Sequence, residues 1–389
     1  MFSRNSLIYT SVVTSQFGRM LTYLSLAISL LEVSGSSSIA YGLIFQSLPA
    51  FVLTKYLVKK IPVEYSQNVF VLFSFLSAIN VLSLAAHFSV EHVYIYYLIS
   101  GVLSAYMSPM LQSFISEWVE GDDSEIVRTR INALKAIAAA IAPILGGIVG
   151  QIANLKILFI ADAIIFAMSA ICVQYLNKRV HRERDPQLSK AHSLREDTHS
   201  SMPKELLRVL GLWYVFLIAG ACINGFEFAI FDHRNLNRLQ IGIALSSWGF
   251  GGALAYFAAT KAVAKKSSIF STALFFIFGL IGIAFAENFL IICISMAIAG
   301  SFDSLFAGKV QARIQNQIPH NMDQRTVWAS VYQTLCVINT ACFLLAGWLL
   351  SKEQFKVSSL LLVPLSACML LLYVAYNRKH YSHVPQVFT

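Results

Sequence analysis

Long apolar runs fill most of this chain, and a single polar strip interrupts them near the middle. The strip covers residues 177–208 and contains eight lysines and arginines, five acidic residues and three histidines. A membrane-spanning helix needs about 20 mostly apolar residues. By that rule the runs predict six spans before the strip and six after it: 6–31, 37–58, 67–87, 92–116, 131–152, 155–176, 209–231, 239–260, 267–286, 288–308, 326–350 and 357–376.

The composition agrees with a protein that crosses a membrane many times. Hydrophobic residues make up 57% of the 389 and charged residues 13%, so a soluble fold would leave too much apolar surface in water. The net charge of +9 does not indicate a nucleic-acid partner, because the basic residues form no basic helix. All six cysteines lie inside apolar runs, which predicts free thiols.

The distribution of lysine and arginine predicts the orientation of the spans. With a cytoplasmic N-terminus, 22 of the 29 basic residues fall in inside segments and five in outside segments. Cytoplasmic loops of membrane proteins carry such an excess. We therefore predict that both termini and the central strip are cytoplasmic and that the protein lies in the cytoplasmic (inner) membrane.

The two halves of the chain share a weak internal repeat. Gln112 matches Gln311 and Ile115 matches Ile314, at a constant offset of 199 residues. Two parallel six-helix halves require an offset of this kind. The predicted organisation is an N-terminal six-helix domain, a cytoplasmic linker and a C-terminal six-helix domain, with the boundaries 1–176, 177–208 and 209–389.

Three local motifs lie in or between the predicted spans. After span 4, Pro109, Gln112 and Glu117 precede the segment RINAL at 130–134. Span 5 contains AAIAPILGGIVG, and a polar turn from Gln315 to Arg325 leads into span 11. The second motif is similar to the G-P-x-x-G-G antiporter motif, with alanine in place of the first glycine. Together the motifs resemble the major facilitator superfamily, and most closely its enterobactin exporter and macrolide efflux branch.

The resemblance implies an all-α polytopic membrane fold of twelve transmembrane helices in two pseudo-symmetric six-helix bundles. It also implies that residues near the cytoplasmic loops and in span 5 serve the conformational cycle. In the loop after span 2, TKYLVKKIPVEYSQ, two lysines keep the family's positive charge, but its Asp and Gly positions are absent. The predicted gating residues are Lys59, Lys60, Arg130, Pro143, Gly146, Gly147, Gly150 and Arg325.

Ionisable residues inside a span are costly in the bilayer, so they usually face the protein interior. Arg19, Glu227 and Asp303 lie in spans 1, 7 and 10, which line the central cavity according to the family resemblance. The alternative is that they form interhelical salt bridges without a transport role. The predicted cavity residues are Gln16, Arg19, Tyr23, Tyr106, Asn224, Glu227, Phe231, Trp248 and Asp303.

Other polar residues within the runs are predicted to have structural or interfacial roles. We expect Asp162 in span 6 to pack behind the cavity, and Lys135 in span 5 to extend to the cytoplasmic interface. Tyr94, Tyr96 and Tyr97 begin span 4, and we expect them in an aromatic belt at the membrane surface.

The sequence contains no motif for enzyme chemistry. It lacks G-x-x-x-x-G-K-[ST], H-E-x-x-H, C-x-x-C and G-x-S-x-G, so we expect no enzyme activity, metal or cofactor. We expect a proton gradient to supply the energy for transport. The family resemblance implies export of an amphipathic siderophore or drug-like compound by proton antiport, and a cavity with an arginine and two carboxylates would let a carboxylate exchange a proton when the substrate arrives. The alternatives are a proton-coupled importer of a siderophore or nutrient, and a membrane sensor or assembly partner that transports nothing. The expected partners are the small-molecule substrate, protons and lipid, without nucleic acid, and the expected state is a monomer.

Overall fold

The computed structural model describes residues 4–118, 124–152, 156–183, 203–259, 269–319 and 322–352, with 369–370 and 373. Within these ranges the chain forms eleven long helices and a short 3₁₀ turn at Val63–Tyr65. The helices are α1 (Arg4–Ser34), α2 (Ser36–Lys60), α3 (Ser66–Ala86), α4 (Val90–Trp118), α5 (Ser124–Ile152), α6 (Lys156–Glu183), α7 (Lys204–His233), α8 (Arg238–Ala259), α9 (Ile269–Phe285), α10 (Phe289–Gln317) and α11 (Gln324–Ser351).

Each of the first eleven predicted spans falls on one of these helices. The twelfth, 357–376, lies almost wholly outside the described residues, as does most of the predicted linker. Some helices extend past their apolar runs, and α6 continues to Glu183, beyond the predicted end of its span at residue 176. Helical hydrogen bonds are made within the segment itself, so a helix does not have to end where its side chains reach water.

Local sequence signals mark several helix ends. Gly35 alone separates α1 from α2, and its φ of 77° lies in the left-handed region that glycine adopts without steric cost. Asn288 precedes α10 and accepts a hydrogen bond from the Ile291 amide. Asp323 precedes α11 and accepts one from the Arg325 amide. Both side chains satisfy amides that have no partner within the helix.

Eight of the described helices are long and apolar enough to cross a membrane, namely α2 to α7, α10 and α11. Large apolar side chains remain exposed on the outer faces of the molecule. Ile79, Leu290 and Trp348, for example, keep 63%, 67% and 55% of their surface exposed. Extensive apolar patches are unfavourable in water but suit a lipid environment. The chain is therefore an integral membrane protein.

We call α1–α6 the first group of helices and α7–α11 the second group, in chain order. In the first, α1 packs on α5 and α6, α3 packs on α4 and α6, and α2 packs on α4. In the second, α10 packs on α7, α8 and α9, and α11 packs on α7. The largest contacts between the groups are α5 with α8 and α2 with α11. These two contacts join the groups and are at least as extensive as any contact within either group.

An aromatic cluster anchors the second group. The ring of Phe216 on α7 stacks on Phe306 of α10 at 4.3 Å and lies 4.8 Å from Phe276 of α9. All three side chains are buried. Aromatic pairs in this distance range contribute about 0.5–1.5 kcal/mol each beyond their burial, so they help to fix how α7, α9 and α10 face one another.

The offset found in the sequence recurs in the helix boundaries. The ends of α1 and α7, Ser34 and His233, are 199 residues apart. The same offset separates the ends of α3 and α9 and the starts of α4 and α10. Helices in the same position of each group therefore occupy matching positions in the chain.

Candidate functional site

A cavity of about 630 Å³ lies between the helices and is lined by ten of the eleven described helices. Its wall combines aromatic and aliphatic side chains with hydroxyl groups, one arginine and three carboxylic acids. Pockets for drug-sized ligands typically measure about 300–1,000 Å³. The volume and the mixed chemistry of the wall suit an amphipathic small molecule.

Glu227 on α7 lies on this wall and is 6% exposed. The Tyr23 hydroxyl of α1 donates a hydrogen bond to its carboxylate. The bond joins the first helix group to the second. Asn224, one turn before Glu227, also lines the cavity. Three residues predicted for the cavity are therefore brought together here.

Asp303 on α10 and Trp248 on α8 form a second polar contact on the wall. The Trp248 side chain hydrogen-bonds to the Asp303 carboxylate. The tryptophan ring itself lies edge-on to Phe276, with 6.2 Å between the ring centroids. Asp303 thus faces the cavity beside a large aromatic surface.

Arg19 on α1 is exposed, although it lies in the middle of a predicted span, and its side chain lines the cavity. Its guanidinium interacts electrostatically with Asp162, Tyr96 and Tyr332. The arginine therefore belongs to the part of the wall made by α1, α4, α6 and α11.

The placement predicted for Asp162 is wrong. The residue does not pack behind the cavity but lies on its wall, fully buried against α1. The Thr22 hydroxyl donates to one carboxylate oxygen, and the other oxygen has no hydrogen-bond partner. Gly18 faces this carboxylate, and a Cβ there would overlap Asp162. The missing side chain at Gly18 lets α6 bring a carboxylate to the cavity.

Further predictions placed side chains differently from the structure. Tyr96 and Tyr97 are not belt residues, because both are buried and line the cavity. Tyr106 is fully buried in the core cluster behind the lining residue Phe70, is not itself in the lining set, and donates a hydrogen bond to the Ser66 carbonyl oxygen. Phe231 is likewise fully buried, in the apolar core. Gln16 is half-buried and lies outside the described lining set.

Sequence reasoning missed a row of polar residues on α4. Tyr96, Ser100, Ser104 and Ser108 are spaced four residues apart, and all four line the cavity. Ser104 and Ser108 hydrogen-bond with Tyr332 of α11. The four-residue spacing of these polar side chains was visible in the sequence, and residues at i, i+4 and i+8 share one helical face.

Two of the predicted gating residues of α5, Pro143 and Gly147, lie where α5 meets α8. A Cβ added to Gly147 would lie 3.0 Å from the Arg238 carbonyl oxygen, and one added to Gly242 would lie 2.5 Å from the Pro143 carbonyl oxygen. Glycine therefore allows the two backbones to touch. Pro143 also lines the cavity, and Gly146 faces Leu24 of α1.

Arg238 joins three helices at one end of the molecule. Its guanidinium forms a two-pronged contact with Glu32 at the end of α1, at 2.6 and 2.7 Å, and also donates to the Gly150 carbonyl oxygen of α5. The ion pair is partly exposed. It connects α1 and α5 of the first group to α8 of the second.

The other predicted gating residues lie away from the end of the molecule that contains the Glu32–Arg238 contact. Lys59 and Lys60 are exposed at the end of α2. Arg325 pairs with Asp323, with 3.3 Å between the guanidinium and the carboxylate. Arg130 belongs to α5, but its side chain is outside the described part of the chain. Lys135, which we expected to extend to the cytoplasmic interface, is half-buried.

The family model described as Major Facilitator Superfamily matches residues 7–322. No curated protein matches the chain. Among solved structures, the human organic anion transporter TETRAN is similar, with a TM-score of 0.71 and 11% identity over 96% of this chain and 99% of that one. A bacterial homologue of the iron transporter ferroportin, in an outward-facing state with soaked iron, has a TM-score of 0.64 and 15% identity over 96% and 100%. At these identities the likeness concerns the fold alone.

Proposed function

Because the chain belongs to the major facilitator superfamily, we propose that it is a secondary active transporter rather than an enzyme. Its proposed action is the export of an amphipathic small molecule, a siderophore or a drug-like compound, in exchange for protons. The motifs around Pro109, Pro143 and Arg325 support a place in the enterobactin exporter and macrolide efflux branch.

The observation that carries this proposal is the set of ionisable side chains on the cavity wall. Arg19, Glu227 and Asp303 all line one space inside a membrane protein. A charged residue at the centre of a membrane helix costs about 2.5–3.5 kcal/mol on insertion scales. Placing three such residues around a drug-sized cavity adds little to the stability of the fold. A transporter of polar or charged substrates, in contrast, needs ionisable groups on the cavity wall to bind them.

Glu227 and Asp303 are the proposed proton carriers. Each is held in place by one aromatic side chain, Glu227 by Tyr23 and Asp303 by Trp248. Burial favours the protonated form of a carboxylic acid, whereas a substrate that pairs with the carboxylate favours the ionised form. Binding of substrate and binding of protons would then oppose each other, and that opposition is what antiport requires.

The proposed cycle is alternating access between two six-helix domains, 1–176 and 209–389, joined by the linker 177–208. The matching offsets of helix ends in the two groups support equivalent halves. The glycine-rich contact of α5 with α8 supports a hinge surface, since backbones that touch without large side chains can slide with little repacking. Lys59, Lys60, Arg130 and Arg325 are the proposed gate residues of the opposite end.

The charge distribution supports a cytoplasmic-membrane protein with both termini inside. Under that orientation the Glu32–Arg238 contact lies at the outer end of the cavity. The proposed partners are the substrate, protons and lipid, with a monomer as the working unit and the proton gradient as the energy source.

Proton flux in everted membrane vesicles tests this function. A pH-sensitive dye reports the gradient while lipophilic drugs and iron-free or ferric siderophores are added one at a time. We expect at least one compound to release protons from the vesicles in a way that requires the protein. The response should be lost in Asp303→Asn or Glu227→Gln and retained in Glu64→Gln, which removes an exposed carboxylate outside the cavity.

The contrary outcomes are specific. Accumulation of the compound by intact cells, dependent on the same carboxylates, would replace export with import. A folded protein that moves protons with none of the compounds, and whose cellular phenotype survives neutralisation of Arg19, Glu227 and Asp303, would indicate a sensor or assembly role.

A further inference from the structure

The acidic and basic residues of the cavity wall are unequal in number. Among the described residues that line it, Arg19 is the single base, whereas Asp162, Glu227 and Asp303 are acids. With all four ionised, the wall would have an excess of two negative charges. A ligand that enters this space meets a field that favours positive charge.

The single base lies on the part of the wall that the first helix group forms. Arg19 on α1 and Asp162 on α6 both line that part, and Asp162 is fully buried and receives its hydrogen bond from Thr22. The other two acids, Glu227 and Asp303, lie in the second group, which contributes no base to the described wall.

The surroundings of those two carboxylates are aromatic. Tyr23 donates to Glu227, and its ring lies 5.5 Å from the ring of Phe228. Trp248 hydrogen-bonds to Asp303, and Phe216 on α7 also lines the cavity. Aromatic faces attract cations when the positive group lies within about 6 Å of the ring centre. Carboxylates beside aromatic rings form an environment for a cation with a large apolar body.

We propose that the transported compound is a lipophilic organic cation rather than an anionic siderophore. This inference rests on the proposed function of the cavity and narrows its substrate. The positive group would lie between Glu227 and Asp303, and the apolar body would fill the space along Phe216 and Trp248. An anion of the same size would meet two carboxylates there, and the one arginine of the described wall lies in the other helix group, on α1.

A pair of ions with the same shape and opposite charge tests the inference directly. Tetraphenylphosphonium and tetraphenylborate have nearly equal size and apolar surface. Equilibrium binding of each radiolabelled ion is measured on the purified full chain in detergent, and binding to detergent micelles without protein is subtracted as partitioning. The double variant Glu227→Gln/Asp303→Asn is measured in the same way. We expect saturable binding of the phosphonium, at least a tenfold loss of affinity in either single variant, and no saturable binding of the borate.

Two controls keep a loss of binding interpretable. Glu64→Gln removes an exposed carboxylate outside the cavity and should bind the phosphonium as the unmodified protein does. Size-exclusion profiles and helical circular dichroism show whether each variant is folded. Saturable borate binding, or phosphonium binding that is the same with and without the two carboxylates, would overturn the inference.

The measurement separates this inference from the proposed function. Binding in detergent needs no gradient, so carboxylate-dependent phosphonium binding without proton flux in vesicles would retain the substrate class and contradict antiport. Proton flux driven by anionic siderophores alone would support antiport and contradict the proposed substrate class.

Discussion

Single hydrogen bonds from neighbouring helices hold the three acids of the cavity wall. Thr22 holds Asp162, Tyr23 holds Glu227 and Trp248 holds Asp303. Thr22 and Tyr23 are adjacent in α1 yet contact acids on α6 and α7. One turn of α1 therefore orients carboxylates in both helix groups, and conservative changes in that turn should have measurable effects.

Thr22→Val should destabilise the protein, because it keeps the side-chain shape and removes the donor to Asp162. Hydrogen bonds between membrane helices contribute about 0.6 kcal/mol on average and up to about 1.7 kcal/mol. The unfolding temperature of purified protein, followed by tryptophan fluorescence, should fall by an amount in keeping with this range. Thr22→Ser retains the hydroxyl and serves as the control. Equal unfolding temperatures for the valine and serine variants would mean that this bond contributes nothing to stability.

Close helix contacts depend on glycine at several crossings. At the crossing of α8 and α10, a Cβ on Gly300 would overlap the Trp248 carbonyl oxygen, and one on Gly251 would overlap the Ala297 carbonyl oxygen. The Ser301 hydroxyl also donates to the Gly251 carbonyl oxygen at 2.9 Å. The two backbones therefore touch directly, and this contact places Trp248 beside Asp303.

Gly300→Ala should push α8 and α10 apart. Forcing extra volume into a packed contact costs about 1–3 kcal/mol, and the obstructing atom belongs to backbone that cannot rotate away. We expect a lower unfolding temperature together with reduced proton flux, since Trp248 would shift. Gly220→Ala is the matched control, because no atom lies within 4 Å of the added Cβ. That change should leave the protein as stable or stabilise it by up to about 1 kcal/mol. Because Gly220 lines the cavity, it serves as a control for stability only, and a similar fall in unfolding temperature at both glycines would rule out the backbone contact as the cause.

On the scale of the whole molecule, contacts between α1–α6 and α7–α11 decide how the cavity is closed. The Thr340 hydroxyl of α11 donates to Ser47 of α2 at 2.9 Å, and the Gln333 amide donates to the Phe51 carbonyl oxygen at 3.0 Å. At the predicted outer end, Glu32 and Arg238 form the described ion pair between the groups. The pair is partly exposed, so its energy is small, but a small energy is enough to shift a conformational equilibrium.

Glu32→Gln should open the predicted outer end more often. An exposed ion pair contributes about 0.2–1 kcal/mol, which corresponds to a shift in population of about 1.4- to 5-fold. Cys336 is a native reporter, because it lines the cavity and is 3% exposed. In a background without the other cysteines, an impermeant cationic thiol reagent applied from outside should label it faster by about that factor.

The charge-swapped pair Glu32→Arg/Arg238→Glu should label Cys336 more slowly than either single change, although the bond to the Gly150 carbonyl oxygen is lost. Glu287→Gln is the control, since it neutralises another exposed carboxylate at the same predicted end. Unchanged labelling in Glu32→Gln, or faster labelling in the swapped pair than in either single change, would show that the ion pair does not close the cavity.

The sequence by itself determined that there are long helices in a membrane, and where they lie. A run of about 20 apolar residues in lipid must satisfy its backbone hydrogen bonds internally, so helix formation follows from local composition. The residue offset of 199 and the acids inside spans were likewise visible in the chain. Local chemistry was therefore enough to predict eleven described helices and to mark the ionisable residues within spans, and the family resemblance selected Arg19, Glu227 and Asp303 among them.

Only the tertiary structure decided which faces meet. Helices that are apolar on every side have no distinct polar face to orient them, so their rotation depends on packing with distant neighbours. For that reason Asp162, Tyr96 and Tyr97 face the cavity, whereas Tyr106 and Phe231 are buried elsewhere. The pairing of Glu32 with Arg238 joins residues 206 positions apart, and no local pattern specifies a contact over that distance.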